Sequence, residues 1–402
     1  MLEYWIWLSL CLDYGSSHLI PLLHRFADPK RIYKTPVKDL QDSFIVSSNE
    51  LKRLNNKNLD KVHNIIEECK KSKISIITFE DNKYPKSLRE IPNPPVCLYV
   101  KGKLQDLNNL PIICLVGSRK ISEYGKLVAW SLAGRLTYGG MMVLSGGAMG
   151  GDASAHQGAL AVGGSTIAVI PCGLNFEYLK TNLFLRNLIT DNGCLVSEFP
   201  PDTPLLKNAF QLRNRLLSAL SLGVVVIEAP AKSGTLITVR YALEQGKDVF
   251  VVTGRPDDPN YAGSNQLLKD GAKPIFEADD IFSEYQHKFP NIIDSEKAKS
   301  INLSKLYNSL YTPKINQYVD ENENVTVNNP QENDLKKSKK PMDKTLPKNV
   351  QMVYNHIDKD FFCVDDIIGC ELPFEEILSA LTQLELYGYI KAVPGGRYNL
   401  IN

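Results

Sequence analysis

The chain lacks the marks of a metal centre, a disulfide scaffold and a membrane span. Its eight cysteines, at 11, 69, 97, 114, 172, 194, 363 and 370, form no CxxC pair. No cysteine–histidine cluster has zinc-ligand spacing. Most cysteines sit inside apolar runs such as Ile112-Ile113-Cys114-Leu115, which reads as buried free thiols in a reducing compartment. The apolar run Tyr4 to Leu12 falls short of the roughly 20 residues a bilayer span needs, and no basic segment precedes it. The expectation is a cytoplasmic protein with no membrane partner. Neither charge sign dominates: 46 basic residues face 45 acidic ones, for a formal net charge of +1. That balance excludes a basic coat for bulk nucleic-acid binding and leaves room for a local basic groove.

At 43% hydrophobic and 23% charged, the chain has globular composition, and 402 residues suggest two to four domains. Residues 1–80 carry apolar clusters at helical spacing, including Leu19-Ile20, Leu22-Leu23 and Phe26, and read as a small helical domain. Residues 81–110 hold Tyr84-Pro85 and Ile91-Pro92-Asn93-Pro94-Pro95, which predict an extended connector without helix. Six short apolar runs follow: Ile112–Val116, Met142–Leu144, Thr166–Ile170, Cys194–Val196, Val224–Ile227 and Val249–Val252. They are continuous rather than alternating, as strands buried on both faces of a parallel sheet are. Helical patterns lie between them, so 81–284 reads as a doubly wound α/β core with its lead-in. Polar and charged residues dominate 285–345, which predicts a disordered linker. Helical patterns return at 346–402 with a Gly395-Gly396 turn near the end, predicting a winged helix.

The loops that follow the predicted strands carry the chemistry. Gly117-Ser118-Arg119 lies at a strand–helix junction, where backbone N–H groups and the helix dipole favour an anion. Arg119 adds a planar fork suited to phosphate, although a tight turn with a solvated arginine explains the junction equally well. Ser145-Gly146-Gly147-Ala148 opens a second glycine-rich loop, which is not a dinucleotide fingerprint. Asp152 and His156 four residues on read as a helix cap and its neighbour, because no nucleophile elbow accompanies them. Lys207, Phe210, Arg213, Asn214 and Arg215 gather basic groups around one aromatic, the combination that single-strand binders use. A solvated basic helix with a buried phenylalanine fits them as well. Lys232-Ser233-Gly234-Thr235 resembles a P-loop, but Ala231 stands where the second glycine belongs. Ser233, Gly234 and Thr235 remain a further phosphate cradle. Several phosphate-type loops at one sheet edge favour a polyanion over a compact small molecule.

Six motifs then occur in one order: Val116-Gly117-Ser118-Arg119, Ser122-x-Tyr124-Gly125, Ser145-Gly146-Gly147-Ala148, Asp152-x-x-Ala155-His156, Phe210-x-x-Arg213-Asn214-Arg215 and Ser233-Gly234-Thr235-Leu236-Ile237-Thr238. With them, residues 81–276 resemble the DNA-processing protein A family (DprA, also called Smf). The resemblance implies an extended Rossmann-like parallel-sheet core, a small helical N-terminal domain of helix-hairpin-helix or SAM-like type, and a C-terminal winged helix. It implies a homodimer, not an enzyme, that binds single-stranded DNA without sequence preference, protects incoming strands in natural transformation and helps load the RecA recombinase. No cofactor and no catalytic residue are implied. By motif, Arg119 would hold a phosphate. Lys207 and Phe210 would contact backbone and base. Gly146, Gly147 and Ser233–Thr235 would lend backbone donors, and at least one of Arg213 and Arg215 would be structural. Gly151, Leu179 and Thr253 depart from the family pattern. A nucleotide N-glycosidase on a Rossmann core is the alternative, but the carboxylate its chemistry needs is missing until Glu244. An interaction protein that has lost DNA binding is a third reading.

Overall fold

A computed structural model describes residues 1–178, 182–303, 306, 342–343, 346–357, 361–363, 367, 372, 374–393 and 397–401. The chain divides into two compact units, one over residues 1–320 and one over residues 321–402.

The first unit opens with six helices: α1 (Leu2–Cys11), α2 (Leu19–Phe26), α3 (Pro29–Lys34), α4 (Val37–Gln41), α5 (Ser48–Asn55) and α6 (Asp60–Lys71). The apolar α1 is their centre, with Trp5, Ile6, Trp7, Leu8 and Cys11 all buried. Trp7 and Tyr33 meet edge to face at 5.0 Å.

The helical reading of residues 1–80 needs one correction. Ile74–Thr78 is a strand, β1, and it pairs antiparallel with β2 (Cys97–Gly102) inside the region expected to be a bare connector. Both strands are rich in β-branched or aromatic residues, and β2 pairs in turn with β6 (Cys194–Ser197). The connector also holds one helical turn, α7 (Lys86–Arg89), starting just after Pro85. Proline bars the interior of a helix but is tolerated at its start.

Seven parallel strands complete the sheet: β3 (Ile112–Val116), β4 (Met142–Ser145), β5 (Thr166–Val169), β6 (Cys194–Ser197), β7 (Gly223–Val226), β8 (Asp248–Val252) and β9 (Lys273–Ile275). The order is β1-β2-β6-β5-β4-β3-β7-β8-β9. Helices cover both faces. Ile112, Cys114 and Val116 face α11 (Ala209–Ala219) and α12 (Thr235–Glu244) in one layer. Ile113 and Leu115 join α8 (Glu123–Tyr138), α9 (Gly151–Ala161) and α14 (Asp279–Tyr285) in the other. Successive residues point to opposite faces, so a strand buried on both sides reads as one apolar run. Full burial of each Val, Ile or Leu contributes about 1.5–3 kcal/mol, more than local propensity offers.

The remaining helices of this unit are α10 (Leu183–Asn192), α13 (Ala262–Lys269) and α15 (Ser295–Ser300). The last lies in the stretch expected to be a disordered linker. Ile293, Ala298 and Leu303 are buried, and the Arg135 Nη1 donates to the Ala298 carbonyl. Apolar residues are sparse there, yet enough to seat the segment beside α8. Most of 304–345 lies outside the described residues.

The second unit contains α16 (Lys348–His356), β10 (Phe361–Cys363), α17 (Phe374–Leu386) and the strand pair β11 (Ile390–Val393) and β12 (Arg397–Leu400). Its three strands are ordered β10-β12-β11. Val350, Val353, Ile357, Ile377, Leu381 and Leu384 form its core. The architecture is the expected winged helix; the Gly395-Gly396 turn lies outside the described residues.

Chain order places the functional edge. From β3 the sheet grows outward through β4, β5 and β6. The chain then crosses by α11 and grows the other way through β7, β8 and β9. The loops after β3 and β7 therefore part in opposite directions. Such a switch point opens a crevice at the carboxyl ends of the strands.

Candidate functional site

A cleft of about 470 Å³ opens at that switch point. The loop after β3 brings Gly117, Ser118, Arg119 and Lys120 to it, and the loop after β7 brings Lys232, Ser233, Gly234 and Thr235. Helix α11 adds Phe210, Arg213 and Asn214, and Asp152 and Asn260 also line it.

The two loops are tied together from behind. Glu228 is fully buried at the end of β7. Its carboxylate accepts the Ser122 N–H at 3.0 and 3.2 Å and also the Ser122 hydroxyl, and its carbonyl accepts the Ser118 N–H. Ser122 in turn caps α8 by accepting the Gly125 N–H. Glu228 was invisible to sequence reasoning, since its partners lie more than a hundred positions away.

Close backbone approach shapes the same wall. Gly117 packs against Gly151, where an added Cβ would lie 2.8 Å from the Gly117 Cα. The departure at Gly151 thus permits the approach of the first loop to the start of α9.

Not every predicted site residue reaches the cleft. Ser145 is fully buried, and its hydroxyl donates to the Leu115 carbonyl. Gly146 lends its carbonyl to Arg213 and Gly147 takes a positive φ of 67°; neither lines the cleft. Ser145, Gly146 and Gly147 shape the loop behind the site instead. The Thr235 N–H, expected to be offered outward, donates to the Ser233 hydroxyl. Lys207 is exposed in the turn before α11 but is not part of the cleft wall.

The arginine pair separates. Arg213 is buried beside the cleft floor, donating to the Gly146 and Val169 carbonyls and to the Asn214 Oδ1. Asn214 reaches the Gly234 carbonyl at 3.5 Å, linking α11 to the loop after β7. Arg215 is 1% exposed, and its Nη2 donates to both oxygens of Glu198 at 2.6 Å. A ligand cannot reach a guanidinium so enclosed, which removes Arg215 from the contact set.

Burial raises the Asp152 carboxyl above its ordinary range, against the pull of Arg213 and the Ala148 N–H. His156 is not tied to Asp152 as expected. Its Nδ1 pairs with the Thr166 hydroxyl at 2.8 Å, and burial pushes its pKa down to about 3, so it stays neutral. An Asp–His catalytic pair is excluded by this geometry.

Four groups stand ready at the mouth. Arg119, Lys120 and Lys232 are exposed and make no ion pair among the described residues. Helix α12 begins at Thr235 on the cleft wall, adding the positive end of its dipole. Lys120 and Asn260 were missed from sequence, although Lys120 directly follows the Ser118-Arg119 pair. Phe210 is half-buried among them. The Arg119 guanidinium carbon lies 4.5 Å from its ring centroid, and Tyr178 meets the ring at 5.8 Å with an interplanar angle of 62°. Leu179, next to Tyr178, lies outside the described residues.

Among the described residues no group of three or more His, Cys, Asp or Glu side chains is placed to hold a metal, and no helix is long and apolar enough to cross a membrane. Cys11, Cys69, Cys97, Cys114, Cys172 and Cys194 are all free and buried.

A family model described as DNA recombination-mediator protein A matches residues 75–286, and one described as DprA winged helix domain matches residues 337–396. The DNA processing protein DprA of Bacillus subtilis (strain 168) is 35% identical over 258 residues, covering 64% of this chain and 87% of that protein. Protein Smf of Escherichia coli (strain K12) is 33% identical over 326 residues, covering 81% and 77% respectively. The X-ray structure of DNA processing protein A from Streptococcus pneumoniae superposes with a TM-score of 0.62 at 32% identity, covering 71% of this chain and 98% of that one.

Proposed function

The chain belongs to the DNA recombination-mediator protein A (DprA/Smf) family, and from that membership we propose that it binds single-stranded DNA, without sequence preference, in the cleft between β3 and β7. One observation carries the reading. Three cations without an ion pair among the described residues, a helix N-terminus and one aromatic converge on a single cleft in a chain whose net charge is only +1. The positive charge is local, so it is a site and not a coat.

The chemistry of the cleft suits a backbone. Arginine, lysine and a helix N-terminus all recognise phosphate, and phosphate contacts carry no base information. A volume of about 470 Å³ accommodates one nucleotide of a flexible strand. On this reading Arg119, Lys120 and Lys232 hold phosphates, Ser118 and Ser233–Thr235 complete the cradle, and Lys207 extends the contact beyond the rim.

The wider role rests on family membership. The protein protects single strands during transformation and recombination and passes them to a RecA-type recombinase, as a homodimer in the cytoplasm. It acts without catalysis: Asp152, the carboxylate in the cleft wall, is held by the Ala148 N–H and organises its loop.

Fluorescence anisotropy with a labelled 30-mer, single-stranded and duplex, at two salt concentrations tests the binding. The single strand should be preferred, with a salt slope of about −0.7 for each phosphate neutralised. Equal affinity for the duplex, or a flat salt response, rules the reading out. Faster RecA filament formation on strands precoated with the protein tests the handover.

A further inference from the structure

The helical region carries a cationic surface far from the switch-point cleft in the chain. Between residues 24 and 38, Arg25, Lys30, Arg31, Lys34 and Lys38 stand against one carboxylate, Asp28. All of these cations are exposed. Asp28 is committed locally, since its side chain accepts the Arg31 N–H at 2.9 Å and caps α3. Among the described residues only Arg31 of this group makes an ion pair, with Asp28 at 3.4 Å. Lys30 and Lys34 stand four apart in α3, on the face opposite the buried Ile32. The two-residue turn Thr35-Pro36 then leads to Lys38 in α4, and the positive run ends at Asp39.

One aromatic projects from the same region. Phe44, three residues past α4, is 92% exposed, more than any other large apolar side chain among the described residues. Its φ of +55° is a left-handed conformation that bulky side chains rarely adopt. Local bonds fix the turn: the Phe44 N–H donates to the Gln41 carbonyl, and the Ser43 hydroxyl donates to the Leu40 carbonyl. Cations with an exposed ring are the combination that holds a single strand, because cations track phosphates and the ring takes the face of a base. An anionic bilayer also attracts cations, but it takes up the apolar face of an amphipathic helix. Here that face is occupied: Leu19, Leu22, Ile32 and Leu40 are fully buried in the helical core. The observations favour a strand.

One strand can reach both surfaces. Tyr14 meets Phe199 at 4.6 Å, and an added Cβ at Gly15 would lie 2.7 Å from Leu212 of α11, so the helical region is seated against the core. A 30-mer at 3.4 Å per nucleotide spans about 100 Å. A compact unit of this size is roughly 50 Å across.

We propose that α2–α4 and the turn at Phe44 form a second nucleic-acid contact outside the cleft: Lys30, Arg31, Lys34 and Lys38 hold phosphates of a single strand, and Phe44 stacks on one of its bases. The proposal goes beyond the cleft reading and makes affinity depend on strand length.

The test compares a labelled strand of about six nucleotides, near the lower end of single-strand site sizes, with a mixed-sequence 30-mer. Wild type, Lys30→Gln/Lys34→Gln/Lys38→Gln, Phe44→Ala and Phe44→Trp are titrated with both at several salt concentrations. All four positions are exposed, and thermal unfolding confirms that each variant is folded. The triple variant should bind the 30-mer more weakly, with a salt slope shallower by about 2, since each single-strand contact contributes about 0.7. Phe44→Ala should weaken the 30-mer by roughly 5- to 150-fold, the equivalent of one lost base stack. Phe44→Trp should bind as wild type does, because it keeps a ring. The short strand should respond to none of these changes, since it fills the cleft and charges beyond roughly 10 Å are screened. Unchanged 30-mer affinity and salt slope in the triple variant and in Phe44→Ala overturn the proposal.

Two further arms locate the strand directly. A 30-mer bearing 5-iododeoxyuridine should photo-crosslink to the peptide that holds Phe44; labelling confined to the cleft sinks the stack. Sedimentation with phosphatidylglycerol vesicles that is lost in Phe44→Ala, beside unchanged 30-mer binding, would assign the surface to a membrane instead. The two readings fail separately. Wild type that binds both strands, with no response in these variants, ends this proposal and leaves the cleft. Wild type that holds the 30-mer through these residues, with no effect of Arg119→Ala on either strand, ends the cleft reading and leaves this one.

Discussion

Arg213 and Arg215 stand two positions apart in α11, and two positions turn a helix by about 200°. One arginine therefore meets the cleft while the other turns away from it to the buried Glu198 carboxylate. In the sequence both look like equivalent members of a basic cluster. The distinction predicts different losses. Replacing Arg215 with Met leaves the Glu198 carboxylate buried without its partner, which should cost about 3–5 kcal/mol in chemical denaturation. The strand affinity of the folded protein should stay at the wild-type value. A stable Arg215→Met protein that has lost strand binding would return Arg215 to the contact set. Ser145 teaches the same lesson. Its place beside two glycines suggests a phosphate loop, but its hydroxyl serves the Leu115 carbonyl.

At the scale of elements, some signals were local and others were not. Six buried strands of the core were legible because each is a continuous apolar run bounded by glycine or polar residues. The antiparallel edge strands β1 and β2 were not, because their pairing partners decide them. Helix α5 shows a fully local device. Ser47 accepts the Glu50 N–H, and Glu50 accepts the Ser47 N–H at 2.9 Å, a reciprocal capping box. Glu50 also accepts the Asp13 N–H at 3.0 Å and pairs with the His18 Nδ1 at 2.6 Å. Burial alone would raise the Glu50 pKa, but the backbone donors of Asp13 and Ser47 and the His18 ring overcome it and hold the pKa at about 2, down from 4.5. A depressed carboxylate pKa stabilises the fold above the unfolded value and loses that contribution on protonation. The helical region should therefore lose stability as pH falls from about 4.5 toward about 2. Glu50→Gln should flatten this acid limb in pH-dependent urea unfolding and cost about 1–3 kcal/mol at neutral pH. An unchanged acid limb in the variant would remove Glu50 from that role.

For the whole molecule, the cleft belongs entirely to the first compact unit. All its lining residues fall between 116 and 260, well before the division at 320. A chain ending at residue 320 should keep single-strand affinity within about twofold of the full chain, the scatter expected for independent parts. Loss of affinity in the same anisotropy titration would place part of the strand site on the winged-helix unit. The near-neutral net charge predicts in addition that distant surface charges matter little, since beyond roughly 10 Å they are screened at ordinary salt.

The sequence by itself determined the α/β core, the position of its buried strands along the chain and the strand–loop–helix junctions that carry Arg119 and Ser233–Thr235. Those are set by apolar periodicity, glycine and short-range capping, all of which act within one turn or one strand. Only the tertiary structure decided which loops share a cleft, because β3 and β7 become neighbours through a crossing that no local pattern encodes. It alone paired Glu198 with Arg215 and Glu228 with Ser122, since burial of a charge is resolved by whichever partner the fold delivers. It alone laid Arg119 on Phe210, two residues that stand far apart in the chain and meet because α11 crosses the switch point.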